Sequence, residues 1–552
     1  HEGTLATDLS RNGNWQTGTF RVNSAGTLRI EGYQDTSYAA AVVGNGLVVK
    51  TGMGIHTLNG AANAGLATWR VEEGILRLGN DTALGINGGS VTILPGASLD
   101  VTGRNTTSSR KLFITSGFGA GDLGAIHSSA ASGDAQVINL RLAGDTSVGG
   151  ASRMGITKTG SASSLDMAGY TLTKSGAGQL VIVGNNTIIN PGDIEVTGGS
   201  LTFESGAALG SFGGKSININ RGGSFLTWNL TTRNNAIIGL NDGSFFENQA
   251  GILRWNGDFA VDGDTTMRQS GDVRNFGTIS GSGMIVKDGG SNLYVLGSNT
   301  FSGTYRVDNG ILYVGRNFIE SYLDNGTESI TGSLGATATV FLNGGQLAFA
   351  RSDAITVPNA ISGLAGTLHV GVQSGGYTGG NVTFSGDVNL VGTSTISIKQ
   401  GLARFTGTLA TRIGAIEILQ GGSLVATGVH TTPTAWLDSG KIGAVASVGS
   451  LALAGDSADN INFTGRTFLG VATSYDSLRL GAAVDSVYSG IITPGTNGYL
   501  FGGGGAKLTV SSVLADINLV ATNLFVGNFT AGTRPVADQP LDGRVVLSGA
   551  NT

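Results

Sequence analysis

The chain has 552 residues, of which 94 are glycine and only 7 proline, with no cysteine and a formal net charge of −5. Collagen is excluded because there is no Gly-X-Y period, and disorder because 40% of the residues are hydrophobic and only 12% charged. Disulfides, thiol nucleophiles and Cys-metal sites are absent with cysteine, no basic block points to nucleic acid, and no run approaches the roughly 18 apolar residues of a membrane helix.

Taken in chain order, one unit keeps returning. Residues 11–32 alternate Phe20 and Val22, turn at 23–26, then alternate Leu28 and Ile30. Such period-two patterning buries one face of a strand and wets the other. Residues 50–79, KTGMGIHTLNGAANAGLATWRVEEGILRLG, give the first full copy, and 90–103 add a further strand–turn–strand. Residues 104–170 are less regular and predict a protruding loop or a looser rung. Residues 174–203 are the second copy, and 216–228 repeat the unit. Residues 229–290 are rich in Asn and Asp and hold the densest aromatic group. The clearest copy is 283–315, GMIVKDGGSNLYVLGSNTFSGTYRVDNGILYVG. The only candidate helical turns are 318–323 and 352–355. The fourth copy is 399–425, an irregular segment covers 429–482, and partial copies occupy 507–527 and 542–552.

Each copy leads with a lysine, at Lys50, Lys174, Lys287 and Lys399. An asparagine marks the middle turn at Asn63, Asn186, Asn299 and Asn551, and a glycine the later one at Gly74, Gly199, Gly310 and Gly422. Self-similarity at spacings of about 110–125 residues is a repeat signature. A unit of roughly 20–25 residues cannot bury its apolar face alone, so units must stack. The expected fold is all-β: one continuous parallel β-helix (β-solenoid) over 1–552, with Gly- and Asn-cornered rungs. The alternative is a string of tandem β-sandwich repeats.

The pattern K-x-G-x-G-x-L-x-L-x-G-x-N-x-(F/Y)-x-G…V-x-x-G-x-L-x-V resembles the autotransporter-associated β-strand repeat of passenger-type regions in large secreted bacterial proteins. Lys287 to Val314 fits it best, through Asn299, Thr300, Phe301, Ser302 and Gly303. The resemblance implies export and an extracellular, surface-exposed solenoid at the bacterial cell surface rather than one activity. Neither a C-terminal β-barrel translocator nor a signal lies within these residues, which leaves the export route open. The repeat that breaks off at Thr552 predicts completion by more chain or by the next subunit.

Candidate chemistry is sparse. His1, His56, His127, His369 and His430 are too scattered for a zinc signature. Asp262, Asp264 and Asp272 match neither an EF-hand nor a Gly-Asp nonapeptide, and read as a solvated turn. The glycine run 502–505 before Lys507 lacks the Ser/Thr and helix of a phosphate loop. Glu72 and Glu73, the closest carboxylate pair, fill a turn position held by other polar residues elsewhere. No metal, cofactor or catalytic residue is therefore expected, and the chain is read as no enzyme. Trp228, Phe245, Phe246, Trp255 and Phe259 form either a glycan-stacking or subunit-docking patch, or stacked core aromatics. The expected function is an extracellular structural or adhesive surface protein, a rigid solenoid forming a stalk, layer or self-assembling fibre. Its partners would be copies of itself as a homo-oligomer or polymer, glycans, or the cell surface. The alternative is a carbohydrate-active β-helix enzyme or a glycan- or receptor-binding protein.

Overall fold

The structure, a computed structural model, describes residues 3–8, 18–61, 67–86, 88–107, 110–156, 163–183, 186–204, 212–230, 235–315, 332–372, 380–468, 471–516, 522–527 and 543–549. The chain divides into two compact units, His1–Phe276 and Gly277–Thr552. Each is a parallel β-solenoid, nearly all strand.

In the first unit the strands Gly26–Glu31, Leu47–Thr51, Thr68–Val71, Ser90–Ile93 and Leu112–Gly117 pair in parallel, each with the strand one rung on. The long strand Asn139–Gly150 continues that ladder and passes through a corner into a second one. A third ladder runs through Arg153–Ile156, Gln179–Ile182, Gly199–Glu204, Gly223–Trp228 and Ser244–Ala250. Parallel register puts the same strand position of every rung in one column. Leu28, Val48, Trp69, Val91, Phe113 and Leu140 form one such column, and all are buried. A period-two strand keeps this column inside only if no residue slips.

The second unit repeats the logic. Leu293, Leu312, Leu347, Leu368, Ile396 and Ile416 are in register and buried. Another ladder carries Ala354–Val357, Asn381–Phe384, Gly401–Phe405, Gly422–Ala426 and Ser450–Leu453. An antiparallel pair, Arg466–Phe468 with Val471–Thr473, interrupts it. Tandem β-sandwiches are built from antiparallel pairs, so the parallel ladders of both units exclude that alternative.

Two local expectations change. The candidate turn at 352–355 is extended: Ala354–Val357 is a strand paired with Asn381–Phe384, because Ile355, Thr356 and Val357 are β-branched and gain a neighbouring rung. The other candidate, 318–323, lies outside the described residues. A helix instead spans Pro433–Asp438, where the Thr432 hydroxyl oxygen accepts from Ala435 N at 3.1 Å and Pro433 opens the first turn. The described residues within 104–170 include strands of the first unit, among them Ile126–Ser128 and Arg153–Ile156.

Candidate functional site

The repeat-defining residues meet at the corners. Lys50 is in register with Ile30 and Val71, and Lys174 with Val148 and Val196, so both occupy columns that are otherwise apolar and inward. Their ammonium groups end beneath the corner that follows. Lys50 Nζ donates to the carbonyls of Thr51 and Gly52, and to Glu73 O of the next rung at 2.8 Å. Lys174 Nζ donates to Ser175 O, Gly176 O and Gly198 O, each at 2.8 Å. Lys287 Nζ reaches four carbonyls: Asp288 at 3.2 Å, Gly289 at 2.8 Å, Ser291 at 2.7 Å and, one rung on, Asn309 at 2.8 Å. Burial pushes the Lys50 and Lys174 ammonium groups down to about 8, which keeps them charged at neutral pH.

The later glycine belongs to the same device. Gly310 has φ 64°, and a Cβ there would lie 2.6 Å from Lys287 Nζ and 2.4 Å from Ser291 O. Gly74 matches it, with φ 65° and a Cβ position 2.8 Å from Lys50 Nζ. Gly199 shares the left-handed backbone. The fourth copy departs. Lys399 is displaced by one residue from the inward column of Val370, Ile398 and Ile418 and is only half-buried, while Gln400 is buried beside it. The left-handed residue there is Gly421, and Gly422 instead permits the close approach of Ile398 O.

The motif asparagine is a staple too. Asn299 Oδ1 accepts from Ile279 N at 2.7 Å on the rung before, and Nδ2 donates to Ser333 O at 2.5 Å on the rung after. Asn186 opens the strand Asn186–Ile189. Asn63 and Asn551 lie outside the described residues. Sequence reasoning missed further staples. Asn248 Nδ2 donates to Gly251 O and Asp272 O while its Oδ1 accepts from Thr227. Buried Lys111 donates to Ala67 O, and buried Asn359 to Gly335 O and Ala338 O. A polar residue at an inward position of the alternation is the signal that would have found them.

The acidic candidates are dispersed. Glu72 pairs with Arg70 at 3.2 Å, while Glu73 accepts from Gly52 N at 3.0 Å and so serves the Lys50 corner. Asp262 and Asp264 lie exposed between Phe259–Val261 and Thr265–Gln269, and Asp272 opens Asp272–Asn275. The glycine run at 502–505 is a corner that leads into the strand Lys507–Val510. Histidines 56, 127, 369 and 430 sit apart on Gly32 O, Gly124 O, Gln346 Oε1 and the Trp436 ring.

Among the described residues, a tight titratable cluster surrounds Asp100, at the end of the strand Ser98–Asp100. Buried Asp100 accepts from Arg77 Nε at 2.8 Å, Thr102 N at 3.0 Å, Ser129 N at 3.0 Å and Ser129 Oγ at 2.6 Å. Burial works to raise its pKa, but the Ser129 and Arg77 hydrogen bonds outweigh it and hold the carboxyl below its usual range. His127 Nε2 stands 3.9 Å from Asp100, and burial lowers its pKa. Ser129 gives its hydroxyl proton to the carboxylate and not to the imidazole, so the group ties rungs together without a nucleophile–base pair.

The five aromatic candidates separate. Phe246, Trp255 and Phe259 are buried, packed edge-on or tilted against one another and against Phe225, and Trp255 Nε1 donates to Ala236 O at 3.0 Å. They fill the core because their strand positions point inward, so they form no part of an exposed patch. Trp228 is 47% exposed, and Phe245 is half-buried with the Arg268 guanidinium 5.6 Å from its ring centre. Phe245 is in register with Ser224 and Trp228 with Ala250, with half-buried Leu226 between them. The outer face therefore carries an aromatic–apolar line of about 13 Å, four residues of strand rise.

Stacked parallel rungs with stapled corners define a β-solenoid. Over 423 residues, 69% of this chain, the sequence is 27% identical to the Adhesin BmaC autotransporter of Brucella suis biovar 1 (strain 1330). The matched stretch is 12% of that protein, so the chain spans about an eighth of its relative's length. Solenoid and likeness together fit a passenger-type protein of autotransporter-associated β-strand repeats. No family model matches the chain, and no solved structure matches it. Among the described residues, no helix is long and apolar enough to cross a membrane.

Proposed function

We propose that this chain is a non-catalytic adhesive segment of an extracellular bacterial surface protein, a stiff solenoid that holds a contact face away from the cell. The likeness to an adhesin supports the class. The observation that carries the contact itself is Trp228, left 47% exposed in line with Phe245 on the outer face while the neighbouring aromatics are buried. Exposed aromatic rings stack on sugar rings or on partner side chains through an apolar face with a polar edge. Self-assembly is a finer part of the reading. Leu364 and Val391 are exposed and level with each other on consecutive rungs of the second unit, which suits lateral contact between copies.

The test is binding of the full chain to immobilised neutral and acidic glycans and to cell surfaces, with light scattering on the same samples. Trp228→Ala with Phe245→Ala is expected to weaken binding about tenfold or more, the loss of one interface anchor, with the circular dichroism unchanged. Unchanged binding would remove the patch from the proposal, and a monomer at all concentrations would remove self-assembly.

A further inference from the structure

The lysine corners have the construction of a cation site. At Lys287, four backbone carbonyls from two successive rungs converge on one ammonium group, and the residue is fully buried. The carbonyl dipoles replace the hydration shell, as they do for monovalent ions in selective filters. The glycine one rung on has no Cβ, and this keeps the cage open, since a Cβ at Gly310 would stand 2.6 Å from the ammonium nitrogen. The same arrangement at Lys50 and Lys174 uses three carbonyls each, one of them again from the following rung. The geometry recurs from different local sequences, Thr-Gly-Met-Gly, Ser-Gly-Ala-Gly and Asp-Gly-Gly-Ser, so the cage belongs to the backbone rather than to any side chain around it.

We propose that each lysine corner is a monovalent-cation site built of main-chain oxygens, with the repeat's own ammonium as its tethered occupant, and that it binds a small N–H cation from solution when the tether is cut. Adhesion does not enter this inference. The natural consequence is directional. Each cage closes only when the following rung supplies its carbonyl, so adding a rung completes the ammonium's coordination.

The experiment uses the full chain with Lys287→Ala, which empties the cage, and Lys287→Met, which fills the channel with an unbranched apolar chain. Thermal midpoints are followed against ammonium chloride and methylammonium chloride, with sodium and tetramethylammonium chloride at equal ionic strength as controls. Lys287→Ala is expected to gain about 2 °C or more, saturably, in ammonium over sodium, while the original chain and Lys287→Met follow the sodium control. The same response in all three proteins, or none in Lys287→Ala, would overturn the proposal. Should Lys287→Ala not fold, Lys50→Ala and Lys174→Ala test the other two cages. Acylation of the unaltered chain gives an independent reading. Lys50, Lys174 and Lys287 should stay unmodified under conditions that acylate Lys399 and Lys507, and equal labelling would also overturn the cage.

Discussion

Replacing Phe225 with alanine is expected to cost about 3–5 kcal/mol, the range for truncating a fully buried aromatic ring. Phe225 is the centre of an inward stack, 5.4 Å from the Phe203 ring, 5.8 Å from Phe246 and 6.0 Å from Trp255. Its neighbours are held by strand pairing on both sides, so they cannot collapse into the cavity. A solenoid's stability is a sum of rung and interface terms, and the loss should therefore concentrate locally. Hydrogen exchange would show faster opening across Gly199–Glu204, Gly223–Trp228 and Ser244–Ala250, while distant rungs keep their protection. Uniform weakening along the chain would count against independent rungs.

Gly310→Ala is expected to be nearly as damaging although it adds one methyl group. The left-handed backbone alone costs an L-residue about 1–2 kcal/mol. The new Cβ would also stand 2.4 Å from Ser291 O and 2.6 Å from both Gly289 O and Lys287 Nζ. The corner must shift, and the ammonium must lose carbonyls that it needs while buried. Gly290→Ala is the control, since a Cβ there meets nothing within 4 Å. Urea midpoints of the two variants should differ by the larger part of the Gly310 loss, and equal midpoints would refute the shared role of lysine and glycine.

Much of this architecture was legible from alternation and recurrence. Val71, Val196 and Val307 followed by a glycine three residues on located true corners, because only one chain geometry satisfies both a strand end and a left-handed turn. Facing was harder. Phe245 and Phe246 are adjacent, so one must point in and the other out, but period two does not say which. Register with Phe225 decides it. The role of the leading lysine was also hidden, because a lysine in an apolar column reads as an edge residue until the corner carbonyls beneath it are placed. Lys399 shows the opposite failure: sequence similarity aligned it with the others, yet Ile398 takes the inward column and Lys399, one residue on, is only half-buried. The helix Pro433–Asp438 has its signal in Thr432 and Pro433, a cap and an opening turn too short to show as helical periodicity. The exposed aromatic line was only partly visible, since core and surface aromatics have the same composition.

Inward side chains satisfy the corner carbonyls, and the most direct test of this compares Lys287→Met with Lys399→Met by hydrogen exchange over 284–314 and 395–418. Removing a donor from buried carbonyls costs about 1–3 kcal/mol each at the most, so Lys287→Met should speed exchange at its own corner by tenfold or more, with Lys399→Met close to the original chain. Equal exchange in the two variants would contradict the stapled-corner account.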